Sequence, residues 1–194
     1  MVALYFATDK DPEEEGEIVV LDIPNDQIKY DDSDVVSILS AISLRKSDFS
    51  IDQNDSIEEF NKKKDITRLI HDIRGDKPGF LAEIDPTDLN RVVCVKAKLN
   101  NPRIIRQQGS FLIFGMDGEK CTSSKVPEEW KKTLLNTPIY INGGDKDNIQ
   151  KELKSFGISH QNLFPELDSQ AKDILAQYCK KKVSKSSQEE SLSS

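Results

Sequence analysis

Apolar positions along this chain follow two rhythms, one near 3.6 residues and one of two, so helices and strands are predicted in a mixed order. Val2-Ala3-Leu4-Tyr5-Phe6-Ala7 opens the sequence, almost wholly apolar where polar and frayed residues are usual. It reads as a short tucked-in helix or strand. After an acidic turn, Glu17 to Ile23 is rich in β-branched residues and stops at Pro24, which predicts a strand. Val35, Ile38, Leu39 and Ile42 share one helical face behind the N-cap candidates Asp31 to Ser33. Asp55 with Glu58 makes a capping box, and a long helix runs from there to about Arg74, with Ile66, Leu69, Ile70 and Ile73 inward. Gly75 and Pro78 end it.

The second half continues in the same way. Val93, Val95, Ala97 and Leu99 alternate with Cys94, Lys96 and Lys98, giving a strand over Arg91 to Leu99 that Asn100, Asn101 and Pro102 break. A polar junction follows, and Phe111 to Phe114 reads as a buried strand. Trp130 is expected on a short helix, Pro127 to Leu135, packed onto the sheet, and Pro138 to Ile141 is a fourth strand. Asp145 caps a helix with Ile149, Leu153 and Phe156 inward. Gly157 then stands where a left-handed cap is wanted, with Ile158 behind it. A final helix after Pro165 carries Leu167, Ala171, Ile174, Leu175 and Tyr178. The fold class expected is α+β: a small mixed or antiparallel sheet packed with several helices, and a helical C-terminal third. One domain spans residues 1–180. Residues 181–194, mostly Lys, Ser, Gln and Glu, form a polar tail expected to be disordered.

Composition narrows the function classes. Against 34 Asp and Glu stand 27 Lys and Arg, a formal charge of -7, so a basic nucleic-acid footprint is not indicated overall. No apolar run approaches the ~20 residues that cross a bilayer, and the opening is too short, and lacks a basic flank, for a secretory signal. Cys94, Cys121 and Cys179 are odd in number and far apart, which points to a reducing cytoplasm. His71 and His160 do not join them at any zinc spacing, so no metal site is expected. Neither a phosphate-binding glycine loop nor a hydrolase elbow can be written, and no catalytic residue is assigned.

Residues 102–114 hold the chemistry that remains. Arg103 and Arg106 offer guanidinium forks, and Gln107 and Gln108 offer amides. Gly109 frees the backbone to turn or approach another group closely, and Phe111 anchors the following strand. Two readings stay open. In one, Arg103 pairs with a carboxylate, Gln107 ties a loop and Gly109 makes a bulge. In the other, Arg103, Gln107 or both face a cleft and bind an anionic or amide-bearing group, with Arg106 a weaker candidate.

In order along the chain, Val2-Ala3-Leu4-Tyr5-Phe6-Ala7, Leu69 to Phe80, Asn101-Pro102-Arg103 with Gln107, Gly109 and Phe111, and Leu153, Gly157-Ile158 and Leu163-Phe164-Pro165-Glu166-Leu167-Asp168 resemble the FRG-domain family, mostly bacterial and phage proteins. The family's Phe-Arg-Gly motif and its Gln-His-Tyr-Gly and Thr-Arg-Leu-Leu-Asp-Trp-Thr segments lie upstream of its "ALYFA" block and cannot be written here. The resemblance therefore implies the C-terminal two-thirds of an FRG module, truncated at its front. It further implies an ADP-ribosyltransferase-like layout that takes NAD, with Gln107 near the catalytic carboxylate's place, incomplete as a catalyst by itself. A glutamine amide does not titrate usefully, so it orients groups rather than moving protons. The competing expectation is a non-catalytic interaction module, with Leu4, Tyr5 and Phe6 recruiting a protein partner or a second copy.

Overall fold

The computed structural model describes residues 1–9, 11, 13–132, 138–171, 174, 175 and 178. Its helices are α1 (Val2–Thr8), α2 (Asp34–Ala41), α3 (Ile57–Lys62), α4 (Lys64–Asp76), α5 (Pro102–Gln107), α6 (Lys146–Ser155) and α7 (His160–Leu163). Its strands are β1 (Gly16–Ile18), β2 (Val20–Leu21), β3 (Ile28–Tyr30), β4 (Val92–Lys96), β5 (Phe111–Phe114), β6 (Met116–Asp117), β7 (Glu119–Ser123), β8 (Lys131–Lys132) and β9 (Ile139–Ile141). The fold is α+β, with small sheets and a mostly helical C-terminal region. Where the sequence reads as one domain over 1–180, contacts divide the chain into two compact units. The first comprises Met1–Val19, Leu99–Gly109 and Thr133–Ser194, and the second Val20–Lys98 and Ser110–Lys132. The expected polar tail lies outside the described residues.

The second unit holds the larger core. Its three-stranded sheet runs β3-β4-β5, with β3 parallel and β5 antiparallel to β4. Val93 and Val95 of β4 are buried in one cluster with Ile38 and Leu39 of α2 and Ile66, Leu69, Ile70 and Ile73 of α4. Burying each such side chain is worth roughly 1.5–3 kcal/mol, so this stripe on α4 contributes substantially to the unit's stability.

Several expectations shift here. The predicted strand over Glu17–Ile23 is two short strands, β1 paired with β9 and β2 with β8. The capping box lies one residue later than expected: Ser56 Oγ accepts from the Glu59 amide at 3.3 Å and donates to its carboxylate at 2.8 Å. The long helix is broken at Lys63, whose extended backbone ends α3 and starts α4. Asn61 braces the break, since its amide accepts from Ile84 N–H at 2.8 Å and donates to the Ile84 and Ile57 carbonyls. Trp130 is buried as expected but ends a 3-10 turn, Glu128–Trp130, that leads into β8. Phe111 and Phe114 form the expected strand, but as its edge rather than its middle, and are 52% and 42% exposed. At Gly115 a Cβ atom would meet the Leu89 carbonyl oxygen at 2.0 Å, because the Gly115 N–H is bonded to the Arg91 carbonyl hard against that turn.

In the first unit α1 packs on α6. Tyr5, Leu153 and Leu163 are buried together, with Val2, Leu4, Ile149, Ile158 and Phe164 against them. The apolar opening is therefore the tucked-in helix of one expectation, and Tyr5 is not available as a recruiting surface. Phe6 remains part exposed. Phe156 is not inward but 70% exposed, because α6 has already ended at Ser155. Leu167, which the sequence places on a final helix, is also exposed. Gly157 takes the left-handed conformation at φ 78°, its N–H bonds the Lys154 carbonyl, and the Ile158 N–H reaches the Leu153 carbonyl at 2.9 Å. This is the predicted cap.

The Lys98 ammonium lies 2.8 Å from the Asp31 carboxylate. The hydrogen bond to Asp31, and then the attraction of that charge, hold its pKa above the ordinary lysine value. The pair's contribution is therefore in place below that ordinary value and is lost as pH rises through the raised one. Replacing Gly157 by Ala should destabilise the chain by about 1 kcal/mol in urea melts, because only the left-handed backbone closes the α6 cap. Gly79→Ala, at a position with open space around it, should carry no such penalty.

Candidate functional site

The junction expected to lead a β-strand folds instead as helix α5. Asn101 is its N-cap, with Oδ1 accepting from the Arg103 N–H at 2.9 Å, and Pro102 occupies the first turn, where its missing N–H costs nothing. Helical spacing then puts Arg103 and Gln107 on one face, with Arg106 beside them. The helix closes on Gln108, a non-glycine residue at φ 51°. Its N–H bonds the Ile105 carbonyl at 3.2 Å, and the Gly109 N–H bonds the Ile104 carbonyl at 3.0 Å. The left-handed conformation falls on Gln108 rather than on Gly109, where a Cβ would meet nothing nearer than 3.9 Å, so the close approach expected of Gly109 is absent. Gly109 serves through its N–H, not through the freedom of its backbone.

α5 docks on the segment that follows α6. α7 has only one turn, so the carbonyls at its end have no helical partners. Side chains supply them. Gln170 Nε2 donates to the Gln161 carbonyl at 2.6 Å and to the Phe164 carbonyl at 3.0 Å. Arg106 donates to the Asn162 carbonyl at 3.1 Å, and Gln107 Nε2 to the Leu163 carbonyl at 3.2 Å. Four consecutive carbonyls are served in this way, two of them from α5. Gln107 and Arg106 are therefore engaged in holding backbone.

Arg103 is placed differently. Its guanidinium lies over the Phe164 ring, 4.7 Å from the centroid, and 3.7 Å from the Glu166 carboxylate, with the side chain 49% exposed. The same ring stacks on His160 at 4.5 Å and meets Phe6 edge-on at 6.1 Å. Arg103 stands at an open hollow of about 520 Å³ lined by Asn100, Asn101, Pro102, Arg103, Pro165 and Glu166. A guanidinium pre-oriented on an aromatic face, with a carboxylate beside it, suits one anionic or amide group rather than a chain of charges.

Arg103, Gln107 and Gly109 are thus brought together in the first unit, whereas Phe111 belongs to the second, on an edge strand. The positioning element is α5 and its contacts with residues 161–166, not a strand beginning at Phe111. Two sequence blocks some sixty residues apart, Asn101 to Gly109 and Leu163 to Glu166, meet here. The residues missed as site members are Phe164 and Glu166. Asn101-Pro102, an N-cap followed by proline, is the signal for α5, although the same pair also breaks strands. Among the described residues no group of three or more His, Cys, Asp or Glu is placed to hold a metal ion, and no helix is long and apolar enough to cross a membrane.

Comparison with protein-family models, with curated proteins and with solved structures found no match for this chain. Gln107→Ala strips the Leu163 carbonyl of its side-chain donor and should cost about 0.5–1.5 kcal/mol in denaturant unfolding, with faster hydrogen exchange at Gly109. Arg103→Ala, half in solvent, should cost less than about 1 kcal/mol. An equal or larger loss at Arg103 would make that residue a structural clamp too.

Proposed function

We propose that this chain is a non-catalytic interaction module in which Arg103 reads a single carboxylate or amide group of a partner protein. The observation carrying this reading is the division of labour on α5. Gln107 and Arg106 are spent on the carbonyls of Leu163 and Asn162, while the Arg103 guanidinium stays half exposed at the mouth of the hollow. The aromatic support under Arg103 fixes its orientation before any ligand arrives, which lowers the entropy lost on binding. Glu166 at 3.7 Å is a loose partner that an anionic ligand group displaces and an amide N–H donates to. An extended acidic tract is disfavoured, since the whole chain carries a formal charge of -7.

This reading keeps the FRG-domain resemblance as a proposal about ancestry. Gln107, engaged with backbone, supports binding or framing rather than a proton-transfer role. The test is selection of displayed peptides on the immobilised chain, followed by calorimetry. Peptides with one carboxylate flanked by neutral residues should be enriched, and Arg103→Ala should weaken the selected peptides about tenfold. Selected peptides that bind Arg103→Ala unchanged would sink this reading, and saturable heat with NAD would replace it by the nucleotide-binding one.

A further inference from the structure

The second unit contains a cleft of about 390 Å³ between the turn that follows α2 and the start of α4, lined by Arg45, Lys46, Asp48, Phe49, Asp65 and Arg68. Three cations, Arg45, Lys46 and Arg68, gather there beside the carboxylates of Asp48 and Asp65. Arg45 is the inner one. Its side chain is 12% exposed and ion-paired to Asp72 on α4. Its Nε is buried without a hydrogen-bond acceptor among the described residues. A buried donor left unsatisfied costs about 1–3 kcal/mol, so the Arg45 side chain sits under tension that a small shift toward an acceptor relieves.

The turn carrying Arg45 and Lys46 is held from three directions. Lys120 of β7 donates to the Ser43 carbonyl at 2.9 Å and to the Arg45 carbonyl. The Phe49 N–H bonds the Lys46 carbonyl at 3.2 Å, and the Phe49 carbonyl accepts from the Lys120 N–H at 3.0 Å. The Phe49 ring is buried in the core cluster. Arg45 therefore projects from a fixed backbone, with Lys46 and Arg68 exposed at the rim. Arg68 is held only loosely by Asp65, at 3.7 Å.

We propose that this cleft binds a phosphoryl group, with Arg45 as the inner donor and Lys46 and Arg68 closing over its outer oxygens. Guanidinium N–H groups match the paired oxygens of a phosphoryl group, and Lys46 and the loosely held Arg68 supply the mobile positive charge, since Asp72 already meets that of Arg45. Asp48 and Asp65 at the rim trim the positive field, which places the affinity on the order of millimolar for the free ion. The site is independent of the Arg103 hollow.

The experiment titrates inorganic phosphate into the full chain at constant ionic strength, following arginine Nε–H and backbone amide resonances. Saturable binding is expected, with the Arg45 Nε–H signal and the amides of residues 45–49 moving most. Lys46→Ala and Arg68→Ala, both at exposed positions, should each weaken binding about two- to fivefold, and Arg103→Ala should leave it unchanged. Tighter binding of O-phosphoserine than of inorganic phosphate assigns the group to a phosphorylated residue, and equal or weaker binding assigns it to the free ion. The proposal is overturned by shifts that never saturate, by largest shifts at Arg103, or by a Lys46→Ala/Arg68→Ala double variant of undiminished affinity.

Discussion

A backbone cut into short elements leaves many N–H and C=O groups without ladder or helix partners, and these must find partners elsewhere or stay in water. The described strands are two to five residues long and the helices four to thirteen, so the demand is high everywhere in this chain. Side chains meet it. Asn61 ties the end of α3 to Ile84, Lys120 braces two carbonyls of the turn after α2, and Arg74 Nε serves the carbonyl of Phe80. Gln150 does the same for Thr8, and the ammonium of buried Lys146 for Asp11. Long polar side chains act here as pieces of secondary structure.

That constraint sorts the polar residues into those spent on the fold and those left for chemistry. On α5 it takes Gln107 and Arg106 and spares Arg103. In the turn after α2 it takes Lys120, and thereby presents Arg45 and Lys46 on a rigid support. Residue type alone does not separate the two groups, because arginine and glutamine serve either use. The separation depends on which carbonyls are orphaned nearby, and that follows from where each short helix stops.

The same reasoning accounts for what could be read from the sequence. The stripe Ile66, Leu69, Ile70 and Ile73, the β4 residues Val93 and Val95, and the Gly157–Ile158 cap were legible because each rests on local periodicity or one conformational demand. Arg103 and Gln107 were legible as a pair worth attention. Their supporting element was not, because Asn-Pro both breaks strands and starts helices, and only docking on residues 161–164 decides between them. The break at Lys63 was hidden for a related reason: the apolar spacing of α4 continues cleanly, while the brace at Asn61 comes from Ile84, far along the chain. The edge placement of Phe111 and Phe114 was hidden too, since four apolar residues in a row do not reveal how many neighbours a strand has.

Gly115 stands against the carbonyl of Leu89 with no room for another carbon atom. Its consequence lies in the history open to this chain. Gly75, Gly79 and Gly144 face open space and are free to drift to other residues as lineages diverge. Position 115 has no such neighbours in sequence space: every single replacement first forces apart the turn at Leu89 and the hairpin that begins at Met116. Descendants should keep that glycine long after the surrounding surface has become unrecognisable.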